Sequence, residues 1–254
     1  MKNIFLLSFI PLAVVANCHA QEKIDTDRPD QTESVATAPR GWLQAEIGFN
    51  LQKNGTNNEY LLPTTLLKYG LTKRMELRLV SSVRRYQFTQ VNGSTGYENG
   101  IEPIAIGTKL ALCEEKGILP KTSILAHIAF PALASKNLQA YKLAPEFRLC
   151  MQHTITKNMG LAYNLGAEWD GFNNEPGWVY SISPGFGFLE KWYAYIEAFG
   201  VVSKIDEPEH NMDAGFAYWV NSNFKLDASG GIGISKAAPQ WYIAVGASFR
   251  FKTH

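Results

Sequence analysis

The 254 residues carry 24 Lys and Arg against 23 Asp and Glu, a formal net charge of +1, which leaves no basic footprint for nucleic acid. Apolar residues make up 46% and aromatic residues 12% of the chain, with 21 Gly. Beyond residue 20, however, no run approaches the roughly 18 consecutive apolar residues of a transmembrane helix. These totals exclude a nucleic-acid binder and a helical membrane protein.

The chain opens "MKNIFLLSFIPLAVVANCHA". Lys2 gives a positive start, Ile4 to Ala16 is apolar except for Ser8 and Pro11, and Cys18-His19-Ala20 offers a cleavage site. This predicts a secretory signal peptide over residues 1–20, because the apolar run is too short to span a bilayer. Cys18 also admits a lipoprotein reading, to which Asn17 is a poor fit.

A polar segment follows at residues 21–40. Its stretch "IDTDRPDQTES" holds Asp25, Asp27, Asp30 and Glu33 together with Arg28. The aspartates imitate a calcium loop, but an EF-hand needs glycine at its sixth position, where Asp30 stands. No metal site is expected. Two readings stay open: a disordered periplasmic tail, or a plug lodged inside whatever the following residues build.

From residue 41 the pattern is period 2 rather than helical. In "GWLQAEIGFNL" the residues Leu43, Ala45, Ile47, Phe49 and Leu51 alternate with Gln44, Glu46, Gly48 and Asn50. The same alternation runs through "MELRLVSSVRR", "KLAPEFRLCMQ", "GLAYNLGAEWD", "FKLDASGGIGI" and "WYIAVGASFRF". Weaker candidates lie at 59–71, 101–112, 121–131, 177–189, 192–202 and 212–220, making about twelve strands. Most run about ten residues, the length that crosses a bilayer, whereas soluble strands average nearer five or six. Short connectors at 72–74, 154–158, 190–191 and 221–223 alternate with polar, mostly longer ones at 52–58, 89–100, 132–140, 171–176, 203–211 and 235–240. Short periplasmic turns opposite longer outer loops are the outer-membrane pattern. The connector "CEEKGILPK" at 113–121 is long for a periplasmic turn.

Charge placement decides between a membrane barrel and a soluble sandwich or lipocalin-like barrel. A lipid-facing Arg or Lys costs about 2–4 kcal/mol at the midplane. The strand charges Glu46, Lys68, Glu76, Arg78, Lys109, Glu146, Arg148, Glu168, Glu197, Lys225, Asp227 and Arg250 all take the parity opposite the apolar set. Arg85 and Glu102 break it, at the proposed outer margin. Trp42, Tyr60, Tyr69, Trp169, Trp178, Trp192 and Trp241 fall near strand ends, as interfacial girdles require. The expected fold is an all-β, antiparallel, up-and-down transmembrane barrel over residues 41–254 in a Gram-negative outer membrane, with both termini periplasmic. Glu46, Glu76, Arg78, Lys109, His127, Glu146, Arg148, Glu168 and Arg250 are the pore-lining candidates. Asp25, Asp27, Arg28, Asp30 and Glu33 are the plug candidates, paired with Arg78, Arg148 or Arg250 and, for Arg28, with Glu46 or Glu168. Small inward residues on the last strands, among them Gly215, Gly231 and Gly246, leave room for such a plug.

"IDTDRPDQTES…PRGWLQAEIGF", "GTKLAL…LPKTSILAHIAFP" and the terminal "WYIAVGASFRF" resemble the outer-membrane transporter family named for the meta-cleavage pathway of phenol degradation. The resemblance spans nearly the whole chain after the leader, and "DRPDQTES" is its most specific block. It implies a barrel that passes small solutes, aromatic or hydrophobic ones among them, and brings no catalytic or binding motif. The alternative is a plugged structural or adhesion-type barrel whose outer loops bind partners. No enzyme and no cofactor are expected: His127 is mid-strand, His153 lies at a turn, His210 is in a loop and His254 is terminal, with no serine spaced as a nucleophile. Partners are outer-membrane lipid, a small-molecule solute and the barrel-assembly machinery during biogenesis. Whether Cys113 and Cys150 pair, and whether the barrel oligomerises, stays open.

Overall fold

The computed structural model describes residues 22–253; the signal peptide expected over residues 1–20 lies outside the described residues. The strands are β1 (Trp42–Asn54), β2 (Asn57–Gly70), β3 (Met75–Thr89), β4 (Thr95–Ile101), β5 (Ile104–Cys113), β6 (Lys121–Phe130), β7 (Ala144–Thr156), β8 (Met159–Glu168), β9 (Gly177–Phe188), β10 (Trp192–Val202), β11 (Glu209–Asn221), β12 (Phe224–Gly233) and β13 (Trp241–Lys252). Apart from β4 and β5, consecutive strands pair antiparallel, and β1 pairs with β13 from Trp42↔Lys252 to Lys53↔Trp241. That pairing closes the sheet and removes its edges.

β4 and β5 both pair with β3, one along its second half and one along its first. They are two pieces of one stave, interrupted at Glu102-Pro103, where proline has no N–H to give the ladder. The result is a closed, twelve-stave antiparallel barrel.

The polar connector expected at 52–58 contracts to the turn Gly55-Thr56, in which Gly55 has φ 61°. The one expected at 89–100 is mostly β-hairpin, since β3 runs to Thr89 and β4 begins at Thr95. Apolar alternation marks only the lipid-crossing part of a strand. Ladder hydrogen bonds continue past it, where both faces are polar.

The barrel is inside-out relative to a soluble protein. Ile106, Leu165, Ile196, Phe216, Ile243 and Val245 stand exposed on the outer wall, while Glu46, Lys68, Glu76, Arg78, Lys109 and Glu197 are buried within. A continuous apolar surface of this extent needs lipid to cover it. Arg85 points outward as expected, in the β3–β4 hairpin, its guanidinium 4.5 Å from the Tyr97 ring centroid.

The polar N-terminal segment lies inside this wall. Ile24 N–H donates to the Ser222 carbonyl (2.8 Å) at the end of the barrel where the β2–β3, β7–β8, β9–β10 and β11–β12 turns are tight. The chain passes into the lumen and returns to the same rim, where Arg40 bridges to Gly70 and leads into β1. Val35 packs on Leu125 and Cys150, a small apolar core within a polar lumen. Cys113 and Cys150 are both free thiols, one exposed and one buried.

Candidate functional site

Strand alternation turns Lys68 of β2, Arg78 of β3 and Lys109 of β5 to the lumen, and Lys68 and Arg78 are direct register partners. Like charges opposite one another on adjacent strands repel. Asp27 of the segment sits among all three, at 2.9 Å from Lys68 Nζ, 2.9 Å from Arg78 Nη1 and 2.7 Å from Lys109 Nζ. Glu33 adds ion pairs of 3.0 Å to Arg78 and 3.1 Å to Lys109. Wall residues Glu46 and Glu76 complete the set by pairing with Lys68 and Arg78. Lys68 and Arg78 are 2% exposed and Lys109 is 0% exposed, so none of these cations can exchange its partner for bulk water. Burial alone raises the Asp27 pKa, but Lys109, Lys68 and Arg78 outweigh it and hold the carboxyl well below the usual range.

Arg28 occupies a slot cut by glycine. Gly48 of β1 and Gly246 of β13 are register partners, and a methyl group on either would overlap the Arg28 guanidinium. Asp227, the register partner of Gly246 on β12, takes the guanidinium at 2.8 Å. This corrects the expected pairing of Arg28 with Glu46 or Glu168. Glu46 instead receives the backbone N–H groups of Asp27 and Arg28, each at 3.0 Å, and Glu168 is far up the opposite wall with Arg148. Parity gives the face of a strand but not the stagger between strands, so it could not rank the three inward carboxylates.

Towards β8–β10 the tip of the segment is held by hydrogen bonds rather than ion pairs. The N–H groups of Gln31 and Thr32 donate to Glu197 at 2.8 and 2.7 Å. Thr32 Oγ1 donates to Ser181 Oγ (2.7 Å), and Glu33 N–H donates to Asn164 Oδ1 (2.7 Å). Asp30 accepts from the Tyr193 hydroxyl at 3.3 Å, and the Tyr195 hydroxyl donates to the Pro29 carbonyl at 3.2 Å. Asp25 is exposed near the rim and accepts from Ser34 Oγ (2.8 Å) rather than from a wall arginine.

His127, Glu146, Arg148 and Glu168 gather higher up. Arg78 Nε donates to His127 Nε2 (3.0 Å), which leaves the ring proton on Nδ1, 3.2 Å from Glu146. Arg148 bridges Glu146 and Glu168. His127, Glu146 and Glu168 border a cavity of about 430 Å³ beneath the long loops. A second cavity of about 920 Å³ lies at the tight-turn end, between the segment and β7–β12. Arg250 stands at that rim, 5.1 Å from the Trp42 ring and hydrogen-bonded to Asn223 and the Glu22 carbonyl, so it pairs with no segment carboxylate.

The family model described as "Putative MetA-pathway of phenol degradation" matches residues 26–251, the inserted segment and the barrel together. The chain belongs to this family. No curated protein matches it. Among solved structures, an outer-membrane channel from Pseudomonas putida F1 is similar with a TM-score of 0.70 at 10% identity, over 88% of this chain and all (100%) of that one. The KdgM porin is similar with a TM-score of 0.54 at 13% identity, over 82% of this chain and 99% of that one. The NanC porin is similar with a TM-score of 0.54 at 7% identity, over 82% and 98%. At such identities the likeness is one of fold: this family member has the barrel of outer-membrane channels and porins.

Reasoning from sequence named Asp27, Arg28, Glu33, Glu46, Glu76, Arg78 and Lys109 as candidates, and the fold brings them into one network. It passed over Lys68, Glu197, Asp227, Asn164 and Ser181 as site residues. The first three already lay on the charged parity. Asn164 and Ser181 gave only the weak signal of small polar groups facing inward.

Proposed function

We propose that this family member is an outer-membrane channel for small solutes, closed in this state by its own N-terminal segment acting as a plug. The observation that carries the reading is the lumen itself, in which a charged segment is seated by ion pairs between two cavities open to opposite ends. A barrel serving only as a scaffold fills its interior with side chains from its own wall. Here Lys68, Arg78 and Lys109 take part of their counter-charge from a segment joined to the barrel at one end.

The family description supports aromatic solutes as one class. The lumen favours those that carry a polar group, because its wall is lined by hydroxyls, amides and charges, with Tyr193 and Trp219 6.5 Å apart beside Lys225 as its aromatic surface. The test is single-channel conductance in planar bilayers. The protein without its leader is compared with a version that also lacks residues 22–40. A conductance that appears or grows on deletion supports the channel. Silence from both versions overturns it in favour of a structural barrel that works through its loops.

A further inference from the structure

The two cavities lean on the same wall. The outer one touches Glu146, Glu168 and Gly177, on β7, β8 and β9; the inner one touches Gln152, Ala162 and Ser183 on the same strands. Between them each strand advances about six residues, roughly 20 Å at ~3.3 Å per residue. The inward groups in that interval are Arg148 and Cys150 on β7, Asn164 and Gly166 on β8, and Val179 and Ser181 on β9, with Glu197 next to them on β10. Asn164, Ser181 and Glu197 all hold the tip of the segment, at Glu33 and Thr32.

The opposite wall is built differently. There Asp27 is locked by Lys68, Arg78 and Lys109, and Arg28 by Asp227 in the glycine slot. Single hydrogen bonds, including those to the Glu197 carboxylate, contribute less than is lost when one partner of a buried ion pair is removed. The β8–β9 wall is also narrow in side chains: Gly160, Ala162, Ser183 and Gly185 line the inner cavity. One wall is therefore clamped and the other is latched.

We infer that solute crosses beside the segment rather than in its place, and that the gate is one rung of contacts: Thr32 with Ser181 and Glu197, Glu33 with Asn164, and Val35 with Cys150. When that rung opens, the two cavities join into one passage along β7–β9, while Asp27 and Arg28 remain seated. The inference rests on the channel reading above and fixes which residues move.

Accessibility of substituted cysteines tests it. Ala162→Cys places a thiol in the inner cavity; Ser248→Cys places one on β13, at 0% exposure, beside Glu46 on the clamped side. Each is made in a background with Cys113→Ser and Cys150→Ser and reconstituted in a conducting bilayer. A charged methanethiosulfonate reagent modifies Ala162→Cys and lowers the current, and modifies Ser248→Cys at least about tenfold more slowly. Adding Asn164→Ala with Ser181→Ala raises the current and leaves Ser248→Cys protected. Equal modification rates at the two thiols overturn the inference, because the whole segment then leaves. So does a parent barrel that is silent while the deletion of residues 22–40 conducts, a result that keeps the channel and discards the side route. Silence from both overturns the channel reading itself and the route with it.

Discussion

Asp27→Asn is the most informative single perturbation. The carboxylate lies within 2.9 Å of three buried cations, and the amide that replaces it keeps the shape but removes the charge. Glu33, Glu46 and Glu76 still face those cations, so the loss is that of one partner in a shared network rather than of three separate pairs. Removing one partner of a buried pair costs about 3–5 kcal/mol. The retained amide oxygen still accepts one hydrogen bond, which argues for the lower end, ~3 kcal/mol. At 1.4 kcal/mol per tenfold, this multiplies the unseated population of the segment by roughly 100. Amide hydrogen exchange reads that population directly. The N–H groups of Arg28 and Ala38, which donate to Glu46 and Glu76 on the clamped wall, exchange about 100-fold faster in Asp27→Asn than in the parent, in lipid nanodiscs. Asp25→Asn is the control: that side chain is exposed near the rim, and exposed charges contribute little. If Asp27→Asn exchanges within a few-fold of the parent, or no faster than Asp25→Asn, the seating of the segment does not depend on the three-cation site.

The same network sets a pH window. Because the Asp27 pKa is depressed, its contribution to seating is complete above the ordinary aspartate value near ~4 and is lost as pH falls through the depressed one. That contribution is therefore constant from about pH 8 to 5 and is lost only in strong acid. Burial pushes the Asp30 carboxyl up to about 7, which acts the other way. It weakens seating of the tip as pH rises from ~4 towards 7, so exchange there, corrected for intrinsic rates, quickens over that range. Gly246→Ala drives Arg28 from its slot and breaks the 2.8 Å pair with Asp227, which exposes the segment to exchange without altering the gel mobility of the folded barrel. In a Cys113→Ser background Cys150 resists maleimide, since it is 0% exposed beneath Val35, and deletion of residues 22–40 makes it reactive. Leu165→Arg, on the outer wall, costs about 2–4 kcal/mol near the bilayer midplane and lowers the midpoint of urea unfolding in liposomes; an inward Gly160→Ser, facing the inner cavity, leaves it unchanged within error.

Much of this architecture was legible because a membrane barrel writes its two environments into alternate residues. Leu43, Ala45 and Ile47 could face only lipid, and Gln44 and Glu46 only the lumen, so strand number and face followed from parity. Strand ends did not follow, since Gln52 to Asn58 and Thr89 to Gly100 are polar on both faces where the ladder leaves the membrane. The break at Glu102-Pro103 left the pattern of the neighbouring stave intact and so gave no warning. Inside the lumen, sequence identified the charges but not their partners. Arg28 joins Asp227, 199 positions away, through the stagger of β1, β13 and β12, and no local spacing encodes that distance.

Only Gly41 separates the inserted segment, residues 21–40, from β1, so the segment is a ligand tethered to its own receptor. A tether that short holds an intramolecular partner at an effective concentration on the order of millimolar. A withdrawn segment therefore meets its seat at once, and a free peptide of the same sequence competes only when it approaches that concentration. Any full unseating of the segment ends by recapture from within, at a rate independent of how many barrels the membrane holds.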